Sequence, residues 1–175
     1  MLVNITDEEL SLGSGYDKLQ EIINNLELNV DYGEPHSDFE RTVDGVYYDL
    51  EENSLGWKWF KFDFNEVYGV LTYENTRGEK KITFGYNSLR QGTFPEKHYY
   101  DTQVGVPANR ELDCLADLSW TEENKILLRV YITDTNFGSC FMTFGFKNDE
   151  VGIMLNKRAE FFMEDYVGYA GGKRR

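Results

Sequence analysis

Residues 112–157 hold four alternating apolar runs separated by three tight reversals, and few folds accept that pattern. Leu112, Cys114, Ala116, Leu118 and Trp120 alternate with Asp113, Leu115, Asp117 and Ser119. After Thr121-Glu-Glu-Asn124 the alternation resumes at Ile126, Leu128, Val130 and Ile132. A turn at Asp134-Thr-Asn136, with Gly138 behind it, leads to Cys140, Met142, Phe144 and Phe146. Asn148-Asp149 then reverses the chain into Val151, Ile153 and Leu155. Neighbouring side chains on a strand point to opposite faces, so a period of two with one apolar face specifies a half-buried antiparallel strand. Four such strands joined by turn-sized gaps make a meander.

The same signal occurs upstream, where strand structure is expected to begin at Val43. Val46, Tyr48 and Leu50 form one face, and Glu51-Glu-Asn-Ser54 with Gly56 makes a turn. In the run that follows, Trp57 and Trp59 are out of phase with Phe60, Phe62 and Phe64, which predicts a bulge near residue 59. Residues 67–73 form a third run, closed by Asn75-Thr-Arg-Gly78. A fourth aligns Ile82, Phe84 and Tyr86. Residues 87–109 are the least regular part, with room for one short strand. The sum is a mainly β chain: an antiparallel up-and-down barrel of about eight strands, whose closure removes exposed edges.

The ends read differently. Thr6-Asp-Glu-Glu9 spells a capping box, and Ser14-Gly-Tyr-Asp17 a second helix start. Tyr16, Leu19, Ile22, Ile23 and Leu26 recur at helical spacing, so a helix is expected over roughly 15–26, followed by a polar loop from 29 to 41. A two-turn helix is marginal in water alone and needs a docking surface. After Leu155, residues 157–166 suggest a short C-terminal helix, with Phe162 and Tyr166 one turn apart. Gly171-Gly-Lys-Arg-Arg175 reads as a frayed tail. The expected organisation is an N-terminal helix and connector over 1–40, a barrel over 41–168 and a disordered tail over 169–175.

A chain of 175 residues fits one domain and needs no staple to bury a core. Aromatics make up 15% of it, enough Tyr and Phe to fill a barrel with few residues. Lys and Arg number 18 against 31 Asp and Glu, and a net charge of −13 repels phosphate backbones and anionic lipid heads. Neither nucleic acid nor a membrane surface is therefore an expected partner. No apolar run approaches the ~20 residues of a membrane helix. Residues 1–5 lack the basic start and the length of a signal peptide, so with Met1 as the true start a cytoplasmic location is expected. Cys114 and Cys140 both occupy apolar-face positions; they read as buried thiols, or as a disulfide if their strands are neighbours.

No catalytic arrangement emerges. Ser-x-x-Lys is absent, and Ser14 is flanked by Leu12 and Tyr16 where Gly-x-Ser-x-Gly needs glycine. Tyr73-Glu-Asn75 spells a Tyr-x-Asn general-base motif, yet without its Ser-x-x-Lys partner it reads as a strand-end turn. His36 and His98 lie in loop-like segments with no Cys or His neighbours to complete a metal site. The acidic clusters at 7–9, 51–52 and 122–123 have turn positions and no calcium-loop spacing. No catalytic, cofactor-binding or metal-binding residue is expected, and the chain should hydrolyse neither β-lactams nor short esters. Trp57, Trp59, Phe60, Phe62, Phe64, Phe84, Phe144 and Phe146 either fill a core or line a ligand cavity. With Met142 as gap filler and residues 158–166 closing one end, a filled core is the stronger expectation, with no tightly held fatty-acid or retinoid-like ligand.

The chain resembles the C-terminal lipocalin-like domain that follows the catalytic domain in bacterial serine hydrolases of the class C β-lactamase and penicillin-binding-protein type. Asp44-Gly45-Val-Tyr47, Glu52-Asn53 and Gly56 carry this resemblance, with Trp120-Thr-Glu-Glu-Asn124, Asp134 and Gly138. Phe144-Gly-Phe146, Ala159-Glu160-Phe-Phe162 and Gly168 continue it, and the lead-in from Lys18 to Leu26 looks like the connector of that barrel. It spans residues 15–168, and its motifs are mostly turn and strand chemistry. The resemblance implies an accessory, non-catalytic barrel whose partner is an upstream catalytic domain in the same parent chain. The catalytic residues of that family lie upstream, so none transfers to a position here. With the hydrolase missing, a stand-alone lipocalin-like barrel for a small apolar ligand is the alternative, and weak self-association through the end that carries the N-terminal helix is expected.

Overall fold

The computed structural model describes residues 15–24, 32–96, 98–99, 102–103, 112–133, 138–158 and 166–175. After helix α1 (Tyr16–Asn24) and the short helix α2 (Glu40–Val43) come β1 (Tyr48–Leu50), β2 (Trp57–Phe64), β3 (Gly69–Asn75), β4 (Gly78–Tyr86) and β5 (Arg90–Phe94). A two-stranded ribbon, β6 (His98–Tyr99) with β7 (Thr102–Gln103), precedes the predicted meander. Its strands are β8 (Leu112–Glu122), β9 (Lys125–Ile132), β10 (Ser139–Lys147) and β11 (Glu150–Arg158), and β12 (Tyr166–Arg174) ends the chain.

The order β4-β3-β2-β1-β12-β11-β10-β9-β8 closes on itself through a β4–β8 contact, making a barrel of nine strands. An odd ring cannot be antiparallel throughout. Among the described strand pairings of the ring the parallel one is β4–β8, confined to Gly85↔Asp117 and Tyr86↔Leu118, and it corrects the expectation of a wholly antiparallel barrel. β5 pads this seam by pairing antiparallel with the first half of β8. The bulge predicted near residue 59 lies between Trp57 and Trp59.

Three further expectations change, and one open alternative closes. Residues 169–175 are not a frayed tail: β12 pairs with both β11 and β1, and the barrel depends on it. Glycine weakens an isolated strand, but it also marks places where another backbone comes close. A Cβ on Gly172 would drive into the Asp49 carbonyl oxygen of β1. The C-terminal helix over 157–166 is contradicted at both ends, since Lys157 and Arg158 finish β11 and Tyr166 opens β12; 159–165 lie outside the described residues. Strand structure starts at Tyr48 rather than Val43, because α2 turns Val43 inward, where it is fully buried. Cys114 and Cys140 are free: β9 separates their strands, opposing Ile132 to the first and Val130 to the second, so no disulfide can span them. The predicted N-terminal helix is present over Tyr16–Asn24, while its proposed start signals at 6–9 and Ser14 lie outside the described residues.

One end of the barrel is plugged. Phe39 sets its ring 6.4 Å from Trp120 and 5.9 Å from Phe146, with Val43 packed beneath. Trp120 Nε1 donates to Glu40 Oε1 at 3.0 Å, and the Phe64 amide donates to Asp44 Oδ1 at 2.8 Å. Inside, Phe60, Phe62, Phe84 and Phe144 meet edge-on or tilted at 4.9–6.0 Å. Offset and edge-to-face rings contribute about 0.5–1.5 kcal/mol per pair beyond their burial. This half of the barrel is a packed core, as expected for those phenylalanines. Trp59 is not in it; it lies half-buried outside against Tyr47, 5.1 Å away.

Candidate functional site

The interior changes character along its axis. Toward the plug its lining is aromatic; at the opposite end it is polar. There β3 turns Leu71, Tyr73 and Asn75 inward by simple alternation, and all three are buried. The Tyr73 hydroxyl donates to Glu96 Oε1 at 2.8 Å and Asn75 Nδ2 donates to the same oxygen at 2.7 Å. Trp57 stacks on the Tyr73 ring at 4.0 Å. Across the barrel Cys140 and Lys157 are register partners on β10 and β11, both inward and both buried, with Cys114 two strands away on β8. Met142 lies next inward on β10.

Burial governs the acid–base state of these groups. It pushes the Cys140 thiol up to about 12, Lys157 pulling it down while Cys114 and Glu96 push it further up. Burial, with help from Asp113, takes Cys114 to about 11. Burial first, and Glu96 second, raise Tyr73 well above the usual phenol range. At neutral pH both thiols and the phenol therefore keep their protons. A protonated, buried thiol is not a nucleophile, and a phenol held this high is not a base. In this protonation state the two thiols and the phenol offer hydrogen-bond donors to the interior.

The residues weighed in the sequence fall as follows. Asn75 closes the turn between β3 and β4, as expected of the Tyr-x-Asn spelling, its Oδ1 accepting from the Arg77 amide at 2.8 Å, and it also converges with Tyr73 on one carboxylate. Alternation alone places both on the inner face; their partner Glu96, beyond Pro95 in the irregular stretch, carries no such signal. His36 lies outside the barrel in a surface concavity of about 420 Å³ with Ser37, Asp38, Glu40 and Arg41. Its Nδ1 is 3.1 Å from Glu40 Oε1 and its ring rests 4.5 Å from that of Tyr86. His98 belongs to β6. Glu51, Glu52, Glu122 and Glu123 are exposed, and the cluster at 7–9 lies outside the described residues. Among the described residues no three His, Cys, Asp or Glu side chains come together to hold a metal, and no helix is long and apolar enough to cross a membrane.

A second buried polar group, absent from the sequence reading, sits on the outer wall. Asp117, Ser119 and Arg129 occupy solvent-side positions of β8 and β9 yet are at most 1% exposed. Arg129 donates to both Asp117 oxygens and, at 3.3 Å, to Ser119 Oγ. Burial pushes the Asp117 carboxyl up, while Arg129 draws it down.

Fold and site together define a closed, mainly β barrel with one packed end and one polar end. No protein-family model matches the chain, and no curated protein matches it. A solved structure with a similar chain path is the fatty-acid-binding protein isolated from Manduca sexta, with a TM-score of 0.49 and 10% identity, covering 75% of this chain and 98% of that one. A likeness of that size says nothing of ligand or activity. Nothing found links the chain to a β-lactamase-type hydrolase.

Proposed function

We propose that this chain is a non-catalytic binding barrel that takes one small, largely apolar molecule into its polar end. The supporting observation is the segregation of the interior. Burying hydrogen-bonding groups is costly, and an apolar filling of equal volume would stabilise the barrel more cheaply. The plug half follows that economy; the half containing Tyr73, Asn75, Glu96 and Lys157 does not. Polar groups that persist inside an apolar container are those with something to orient. The Phe60–Phe62–Phe84–Phe144 layer limits depth, so the ligand is compact, not a long chain laid along the axis.

Trp57, stacked on Tyr73, is a built-in reporter. Titration with the amphiphilic dye 1-anilinonaphthalene-8-sulfonate should show one saturable site that quenches tryptophan emission. Compact aliphatic alcohols and acids should displace the dye, and Tyr73→Phe should weaken it. Dye binding that never saturates, or that Tyr73→Phe leaves untouched, would remove this reading.

One observation favours the accessory-domain reading as a second. Tyr16, Leu19 and Ile22 of α1 form an exposed apolar stripe on a nine-residue helix too short to persist undocked. In a parent chain carrying an upstream hydrolase, Leu19→Asp would make the connector more sensitive to protease. An unchanged cleavage rate there would discard it.

A further inference from the structure

The β4–β8 seam is a thin join in the barrel wall, with two residue pairs, the same number as β1–β2. The ladders on either side of it, β3–β4 and β8–β9, share seven and eight. β5 covers β8 as far as Ala116 and β4 continues to Leu118, which leaves Ser119 and Trp120 on that edge without a partner among the described strands. Two pieces from elsewhere complete it. The Asn87 amide donates to the Leu118 carbonyl at 3.1 Å, and its side chain accepts from Ser119 Oγ at 2.7 Å. The segment 32–34, which precedes α2 by several residues, lies alongside. The Glu34 amide donates to the Trp120 carbonyl at 2.9 Å, and the Trp120 amide donates back to Glu34 at 2.7 Å. Asn87 Nδ2 donates to the Gly33 carbonyl at 2.7 Å, tying the two pieces together.

Tyr32 explains how an ion pair on the outer wall comes to be buried. Its ring covers the Arg129 guanidinium, with Cζ 3.9 Å from the ring centroid, while Tyr32 itself stays half exposed. Gly33 next to it passes so close that a Cβ would strike the Trp120 carbonyl. A buried pair of this kind is weak evidence of stability, since desolvation offsets much of its attraction. The pair does not hold the cover in place, because Asp117, Arg129 and Ser119 bond one another and lifting the cover exposes them to water without breaking those bonds.

We propose that residues 32–34 are a detachable strap that seals the β4–β8 seam and shields the Asp117–Arg129 pair, opening as a local unit while the barrel stays folded. Among the described contacts the strap is held by one bridged residue pair, one side-chain hydrogen bond and one cation–π contact, less than the ladders that hold the barrel strands. Segments with few buried contacts open at free energies well below global unfolding.

Amide hydrogen exchange followed by mass spectrometry tests this on the full chain. In the wild type, peptides covering 32–34 and 118–121 should exchange together and at least tenfold faster than β10 and β11. Gly33→Val should abolish protection of the Glu34 and Trp120 amides while leaving that of β2, β3, β10 and β11 intact. Tyr32→Ala, which asks nothing of the backbone, should speed exchange in the same two peptides several-fold. The proposal is overturned if Gly33→Val unprotects the whole barrel, which would make the strap an integral strand. It is equally overturned if neither substitution changes exchange at 118–121.

Discussion

Alkaline pH should weaken this barrel through two thiols. Cys114 and Cys140 are 1% and 4% exposed and face the interior from β8 and β10. Burial holds them at about 11 and about 12 in the folded chain. Once unfolded, a cysteine loses its proton near pH ~8.5. Both folded values are raised, so this contribution to stability is fully present below the unfolded value and is lost as pH climbs toward the folded one. Each thiol that ionises only in the unfolded chain removes up to ~1.4 kcal/mol per pH unit. Between pH 8 and pH 10 that amounts to roughly 2 kcal/mol per thiol, or roughly 4 kcal/mol for the pair. Urea unfolding at pH 7, 8, 9 and 10, for the wild type and for Cys114→Ala/Cys140→Ala, reads the effect. Tyr48, Tyr73 and Tyr86 are also raised by burial and contribute equally to both proteins, so the difference between the two curves isolates the thiols. The wild type should lose its advantage as pH rises. Parallel curves would mean that the thiols are not buried as described, as would rapid labelling of the native protein by Ellman's reagent at pH 8.

Three further outcomes follow from the same structure. Arg129→Met leaves Asp117 buried beside an apolar chain and should cost about 3–5 kcal/mol in urea, most of it recovered on adding Asp117→Leu; a single-variant loss below about 1 kcal/mol would show the pair to be solvated. Removing residues 166–175 deletes β12 and with it the pairing of both β1 and β11, so no cooperative thermal transition should survive. The isolated chain should turn over neither a chromogenic β-lactam nor a nitrophenyl ester, and turnover that survives repurification and disappears on mutating one serine would contradict the non-catalytic reading.

The meander was legible because β8 to β11 are joined by short reversals and each buries one face, so that local alternation and tertiary burial coincide. The bulge at Trp57/Trp59 was legible for the same reason: a change of phase in the side chains is a change of register in the ladder. What stayed hidden depends on contacts distant in sequence. Gly171 and Gly172 look like fraying until Asp49 is placed beside them. Val43 looks like the start of a strand until the barrel end it fills is known. Asp117 and Arg129 sit at alternating positions that belong in solvent, and Tyr32, some 85 residues before Asp117, covers the Arg129 guanidinium. Half of the candidate site was within reach, since Tyr73 and Asn75 share a face by period two. Glu96 was not, because no periodicity reaches across Pro95 to say which wall that carboxylate meets.

The central claim is that the polar end of the barrel is a ligand site and the aromatic end is not. Nuclear magnetic resonance shift mapping on the full chain, with 1-anilinonaphthalene-8-sulfonate and then a compact aliphatic acid as probes, tests it most directly. The Trp57 indole, the Tyr73 ring and the Met142 methyl should move, and they should saturate together at one equivalent. Phe39, Val43 and Phe62 should stay where they are. Shifts confined to the outer wall around Met154 and Tyr169, or none at all, would contradict the account and leave the polar interior a structural feature only.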